Sequence, residues 1–226
     1  VIWQNSNSDP ASVMARRYDS SGNSITSAYV IDDSSWHARL SRETSSAIAV
    51  RPSGEFVVCF TVWSNGVYYV RARRFNTSGN AIGGSFQVDA EQAVYGVSAI
   101  TPEGKFVLVY KGRSTGNLYV RRFDWSENPL EDRILLNDDG SYLSQAAPKI
   151  AVATPETFMV VWSDARDKDT DSNIYGRIFQ ISDNSALPVG EDVRIPCDCD
   201  PWKMSGYPPP DISGSRSGHF VVAWSV

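Results

Sequence analysis

Two stretches of the chain concentrate the residues whose types and spacing could do chemistry. The first, SDARDKDTDSN (163–173), carries Asp164, Asp167, Asp169 and Asp171, with Asn173 behind them. Closely spaced oxygen donors suit a hard cation, and Ca²⁺ is the cofactor they point to. The spacing is not that of an EF-hand. Counted from Asp167, Ser172 stands where that loop needs glycine and Ile178 where it needs a bidentate glutamate. Any site here is therefore an irregular loop site, and the alternative is a solvated acidic loop that keeps one surface soluble. The second stretch, PCDCDPWKMSGYPPP (196–210), holds Trp202 and Tyr207 between Pro201 and the proline run 208–210. Rings held this stiffly could stack on a sugar or dock a protein at small entropic cost. Equally, they could fold down onto the body of the protein as a lid.

The remaining chemistry-bearing residues read more plainly. The doublets Asp32–Asp33 and Asp138–Asp139 follow strand-like runs, where adjacent acids usually form Asx-type turns and seldom the separated pair a glycosidase needs. Cys197 and Cys199 are too close for an ordinary bridge and lack the further ligands of a zinc site. Cys59 aligns with Val109, Val161 and Ala223 in related phrases and reads as a small core residue. His219 falls at a variable, exposed position, and His37 has no recognisable nucleophile partner.

The elements that must position these residues come from an internal repeat. FVVCF (56–60), FVLVY (106–110), FMVVW (158–162) and FVVAW (220–224) are one phrase, and the opening VIW is the tail of another copy. A second phrase runs through VMARRYDSSGNSI, VRARRFNTSGNAI, LYVRRFDWSENPL and IYGRIFQISDNSAL. A short run (AYVIDD, SFQVDA, RILLNDD, DVRIPCD) and an Ile-centred run (SAIAV, VSAIT, PKIAV, PDISG) complete each unit. Four β-branched, aromatic runs separated by turn residues recur at roughly 50–60 residues, the pattern of propeller blades. The expected fold class is thus all-β, with four-stranded antiparallel propeller blades, about four of them, forming part of a larger propeller; the alternative is a four-bladed ring with a frayed or swapped end strand. Repeat units lie at 1–50, 51–102, 103–155 and 156–218, with 219–226 starting a further one. The strand order expected within a blade is Ile-centred run innermost, then FVVVW, then ARRF, then FQV outermost. Gly22 and Gly79 supply the positive φ of the ARRF–FQV turns, and Glu127 and Asp183 in the other copies imply looser turns.

In such a blade the loops after second strands share a rim with the crossovers between blades, so 163–173 and 196–210 fall on one rim. Long loops in compact domains carry function. Arg16, Arg73, Arg121 and Arg177 recur on the third strand, and regular recurrence there suits pairing with an acidic neighbour in the next strand or blade.

Composition narrows the function classes. The 226 residues carry a formal charge of −5, against nucleic acid as a partner. No apolar run reaches the roughly 18 residues of a membrane helix, so no membrane insertion is expected. No initiator Met or signal peptide is visible, as in a mature or excised protein.

FMVVWSDARDKDTDSNIYGRIF and YVRARRFNTSGNAIGGSFQVD resemble the tandem propeller-type repeats of large secreted or surface-attached bacterial proteins. That resemblance covers essentially the whole chain and implies an extracellular or cell-surface location. The expected function is a non-enzymatic propeller module for interaction, adhesion or surface assembly, with a protein or carbohydrate ligand at one rim and self-assembly as a further expectation. The alternative is a carbohydrate-active propeller enzyme, glycosidase- or sialidase-like. The recurring arginines invite comparison with the carboxylate-binding arginines of sialidase-like propellers, but the sialidase box Ser-x-Asp-x-Gly-x-x-Trp is absent.

Overall fold

The computed structural model describes residues 1–5, 7, 11–33, 37–39, 47–137, 146–166, 173–182, 185–196 and 209–225, with backbone alone at 37 and 39. Among them there is no helix. The described residues form five antiparallel sheets, and the fold is a β-propeller.

Blade 1 is β1 (Ile2–Asn5), β2 (Ser12–Ala15) and β3 (Tyr29–Val30). Blade 2 has an inner strand in two pieces, β4 (His37–Arg39) and β5 (Ile48–Val50), followed by β6 (Phe56–Ser64), β7 (Val67–Phe75) and β8 (Ala81–Gln87). Blade 3 is β9 (Ala93–Ile100), β10 (Phe106–Gly112), β11 (Leu118–Phe123) and β12 (Ile134–Leu135). Blade 4 is β13 (Ala146–Thr154), β14 (Thr157–Asp164) and β15 (Asn173–Ser182), with an outer strand split into β16 (Ser185–Pro188) and β17 (Val193–Arg194). Blade 5 pairs β18 (Asp211–Gly214) with β19 (Phe220–Ala223). The spatial order is the expected one, Ile-centred run innermost and FQV run outermost.

The cores lie between the blades, which is why the second strands are apolar at successive positions. In β6, Phe56, Val58, Phe60 and Val62 pack with Val13, Ala15 and Ile31 of blade 1. The alternating Val57 and Cys59 pack with Phe106, Leu108 and Tyr110 of blade 3. Blades 3 and 4 share a core of Val107, Val109, Val160 and Trp162, and Met159, Val161 and Ile174 meet blade 5. Successive residues of a strand point to opposite faces, so a strand covered on both sides must be apolar at every position. Within blades 2, 3 and 4 a Phe at or next to the start of the second strand stacks on a Phe in the last part of the third: Phe56–Phe75 at 4.8 Å, Phe106–Phe123 at 5.4 Å and Phe158–Phe179 at 4.8 Å.

The Arg-Arg dipeptide of the third strand stitches these cores at their edges. Its first arginine reaches back. Arg73, Arg121 and Arg177 each donate from Nη1, at 2.8 Å, to the carbonyl of Ile31, Val88 and Leu136, fully buried residues following the outer strand of the preceding blade. The second arginine, on the opposite face, reaches forward. Arg17 donates to the Thr77 carbonyl, and Arg74 donates to the Trp125 carbonyl and to Glu127. Arg122 chelates Glu131, whose Oε2 also accepts the Ala186 N–H of blade 4. The expected acidic partner for the first arginine is thus mostly a backbone carbonyl; Asp33 stands 3.8 Å from Arg73.

Turn chemistry departs from expectation at one position. Gly22 and Gly79 have φ of 82° and 86°, but Glu127 adopts φ 74°, and its turn is built as tightly as theirs. Asp19, Asn76 and Asp124 each accept two backbone N–H groups across these turns, and that shared cap holds Glu127 in the left-handed region. The doublet Asp32–Asp33 is not an Asx turn. Asp32 accepts the Val13 N–H at 2.7 Å, and Asp33 accepts the Ser85 N–H of blade 2 at 2.6 Å. Burial raises the Asp32 pKa above the ordinary value despite that bond. Asp138 and Asp139 lie outside the described residues.

Candidate functional site

The rim that carries the hairpins between second and third strands also carries the crossovers into the next inner strand. In blade 4 its two long excursions spring from one place. Asn173 closes the first, and its side chain accepts from Arg194, two residues ahead of Pro196, where the second opens; the Ile195 N–H bonds the Ile174 carbonyl beside it.

On this rim the inner strands of blades 3 and 4 are bulged at equivalent positions. The β9–β10 register shifts between Val109 and Lys111, and the β13–β14 register between Ala146 and Lys149. Both bulges hold a non-glycine residue at positive φ, Tyr95 at 59° and Ala147 at 49°. Such conformations cost on the order of 1–3 kcal/mol and concentrate beside functional sites. Gly96 follows Tyr95 because blade 2 approaches so closely that a Cβ there would lie 2.6 Å from Val70 Cγ1.

Carboxylates at this rim are held by donors. Asp164 ends β14 fully buried; its Oδ2 accepts Trp162 Nε1 at 3.0 Å and Arg166 Nη2 at 2.6 Å, and its Oδ1 accepts the Arg166 N–H at 2.9 Å. Arg166 also grips Asp192 with both terminal nitrogens, at 2.9 and 2.8 Å, and lies 4.0 Å over the Tyr175 ring. Blade 3 repeats the arrangement with different residues. Asp89 accepts the Tyr110 hydroxyl and pairs with Arg133 at 3.3 Å, while Arg133 pairs with Glu91 and lies 4.6 Å over Tyr119. Burial works to raise the Asp89 pKa, but the Tyr110 hydroxyl, the Glu91 N–H and Arg133 together hold it below the usual carboxylate range. The same burial and the Asp89 charge push the Tyr110 phenol up.

Of the residues anticipated from sequence, Asp164 is described, and its oxygens are taken up by Trp162 and Arg166. Asp167, Asp169, Asp171, Trp202 and Tyr207 lie outside the described residues, as do Cys197 and Cys199. Among the described residues no three His, Cys, Asp or Glu side chains converge as metal ligands would. Cys59 is buried, with its thiol pushed up to about 12 by desolvation. His219 is exposed, and its ring Nδ1 meets the Ser217 hydroxyl at 2.9 Å. Sequence reasoning missed Trp63, Tyr68 and Arg113, which gather on this rim between blades 2 and 3, where Arg113 lies 4.5 Å over the Tyr68 ring. The signal was available in the alternation of β6 and β7, which carries the faces of Cys59 and Val70 on to Trp63 and Tyr68.

No protein-family model matches the chain, and no curated protein matches it in sequence. Solved structures do match it. An α-L-arabinanase of Penicillium chrysogenum, solved with arabinobiose, superposes with a TM-score of 0.60 at 11% identity, over 94% of this chain and 66% of its own. The GH93 α-L-arabinofuranosidase of Fusarium graminearum, also solved with arabinobiose, gives 0.56 at 12% identity over the same shares. At such identity the likeness shows the fold, and this chain spans 66% of each neighbour's length. It also corrects the expectation of a non-enzymatic module for interaction, adhesion or surface assembly. The match covers 94% of this chain, and both neighbours are enzymes solved with arabinobiose.

Proposed function

We propose that this chain belongs to a carbohydrate-active propeller that binds and cleaves an arabinan-type polysaccharide at the rim of its hairpins and crossovers. The observation that carries the reading is the shared fold along 94% of the chain with two enzymes solved with arabinobiose. The rim chemistry supports it. Strained bulges at Tyr95 and Ala147 mark the inner-strand ends of two neighbouring blades, as they do beside many active sites. Glycoside cleavage needs an acid and a base or nucleophile roughly 5–10 Å apart. Asp89, Asp164 and Asp192 are each committed to arginine or tyrosine partners, so they serve the scaffold. Polysaccharide of this kind lies outside cells, and an exported protein is part of the proposal.

The test is release of reducing sugar from branched and debranched arabinan, with xylan and polygalacturonate as controls. Arabino-oligosaccharide or arabinose products from arabinan alone are the expected result. No products from arabinan, or equal activity on all three polymers, would overturn the reading.

A further inference from the structure

Blade 2 stands taller at the candidate rim than the blades after it. β6 continues four residues past Phe60, to Ser64, whereas β10 and β14 end two residues past the equivalent Tyr110 and Trp162. A two-residue turn with Asn65 and Gly66 at φ 50° and 82° pins the extension, and β4 pairs along its inner side, His37 opposite Trp63 and Arg39 opposite Thr61. Trp63 and Tyr68 are direct register partners in this extension, so their side chains share one face. That face is the one on which Val57, Cys59, Val70 and Ala72 pack against blade 3. Trp63 and Tyr68 therefore look toward blade 3 from above its last paired residues, and both are half-buried.

Arg113, exposed in the β10–β11 hairpin, closes the arrangement from the other side. Its guanidinium lies 4.5 Å over the Tyr68 ring, and its backbone N–H is fixed to the Gln92 carbonyl at 2.9 Å. The guanidinium N–H groups make no hydrogen bond to the described residues. Strand order sets the direction: with β4 innermost, Trp63 and then Tyr68 lead radially outward.

We propose that Trp63 and Tyr68, with Arg113 beside them, form a shelf that holds one neutral sugar residue of a bound polysaccharide. The C–H face of the sugar lies on the rings, and the Arg113 N–H groups donate to its hydroxyls. The shelf rests on the proposed function, and it deepens that reading by assigning a subsite away from the cleaved bond. A side chain that stacks on a ligand contributes about ten-fold in affinity.

Affinity gel electrophoresis in arabinan, xylan and polygalacturonate tests it, using the wild type, Trp63→Ala, Tyr68→Ser and Arg113→Ala. Melting curves accompany each variant, and Tyr68→Ser, at a half-buried position next to a hairpin turn, and Arg113→Ala, at an exposed one, guard against a Trp63→Ala variant that does not fold. Arabinan should retard the wild type, with a dissociation constant about ten-fold higher in Trp63→Ala and Tyr68→Ser. Retardation by xylan instead, lost in the same variants, would support the shelf while the arabinan reading falls. Equal retardation of all four proteins overturns the shelf and leaves the proposed function standing. Retardation by polygalacturonate alone overturns the neutral sugar, and no retardation in any gel overturns both proposals.

Discussion

Replacing Glu131 by alanine should loosen one particular seam. The Arg122 guanidinium is fully buried, and Glu131 is 12% exposed. Arg122 Nε lies 2.9 and 3.0 Å from the two Glu131 oxygens, Nη2 lies 2.5 Å from Oε2, and the Ala186 N–H of blade 4 adds a bond of 3.2 Å. Removing the carboxylate leaves a buried cation with no counter-charge and takes an acceptor from two backbone N–H groups, those of Arg122 and Ala186. Breaking a buried pair from one side costs about 3–5 kcal/mol. With a urea m-value of about 3 kcal/mol/M, the midpoint should fall by about 1–1.7 M. Because Glu131 ties blade 3 to blade 4, and repeat arrays are held by nearest-neighbour contacts, the loss should also split a single transition into two. The double variant Arg122→Met/Glu131→Leu removes charge and counter-charge together and should recover most of the loss. Equilibrium urea unfolding followed by tryptophan fluorescence and by far-UV circular dichroism reads both effects. A midpoint within about 0.3 M of the wild type for Glu131→Ala, or a double variant no better than the single one, would refute the reasoning.

Three further outcomes follow from the same geometry. Arg177→Ala leaves the buried Leu136 carbonyl without its donor and should lower stability by about 1.5–3 kcal/mol in chemical denaturation; Arg177→Lys, which cannot also span to the Gly190 carbonyl, should recover only part of it. Asp32→Asn should raise the melting temperature at pH 7. Burial raises the Asp32 pKa in the fold, so the charged form is disfavoured above the unfolded value and the neutral amide escapes that penalty; the gain should fade below about pH 4. Blade 3 already carries the amide at the matching place, where Asn137 Oδ1 accepts the Leu118 N–H at 2.8 Å. Asp164→Asn should destabilise by about 2–4 kcal/mol through Arg166, and added Ca²⁺ should not restore the melting temperature.

The blade plan was legible because it is written in side chains that recur. Successive apolar residues in FVVCF and FMVVW, and glycines at 22 and 79, allow few other arrangements, and the strand order follows from them. The partners of the recurring arginines were not legible, because a backbone carbonyl such as that of Leu136 has no residue type to announce it. Nor could Glu127 reveal its left-handed backbone, since Asp124, three residues earlier, supplies the constraint. Asp164 reads as a cation ligand beside Asp167, Asp169 and Asp171, and only the structure shows that the arginine two residues on, Arg166, pairs with it. The rim shelf escaped notice because Trp63 and Tyr68 become neighbours only through the register of a hairpin extended by β4. Function was least legible, since no local motif in the chain is specific to sugar cleavage.

The back-and-forth arms of the Arg-Arg dipeptide have a consequence for how such a chain grows. Both halves of a joint leave from adjacent codons, one grasping the previous unit and one the next. Duplicating a single stretch of gene therefore yields a copy already equipped to clasp neighbours on both sides, with no new fit to be discovered. Blade 4 departs from the scheme: Ile178 occupies the forward position, and Ile212, Phe220 and Val222 of blade 5 pack on its Met159, Val161 and Ile174.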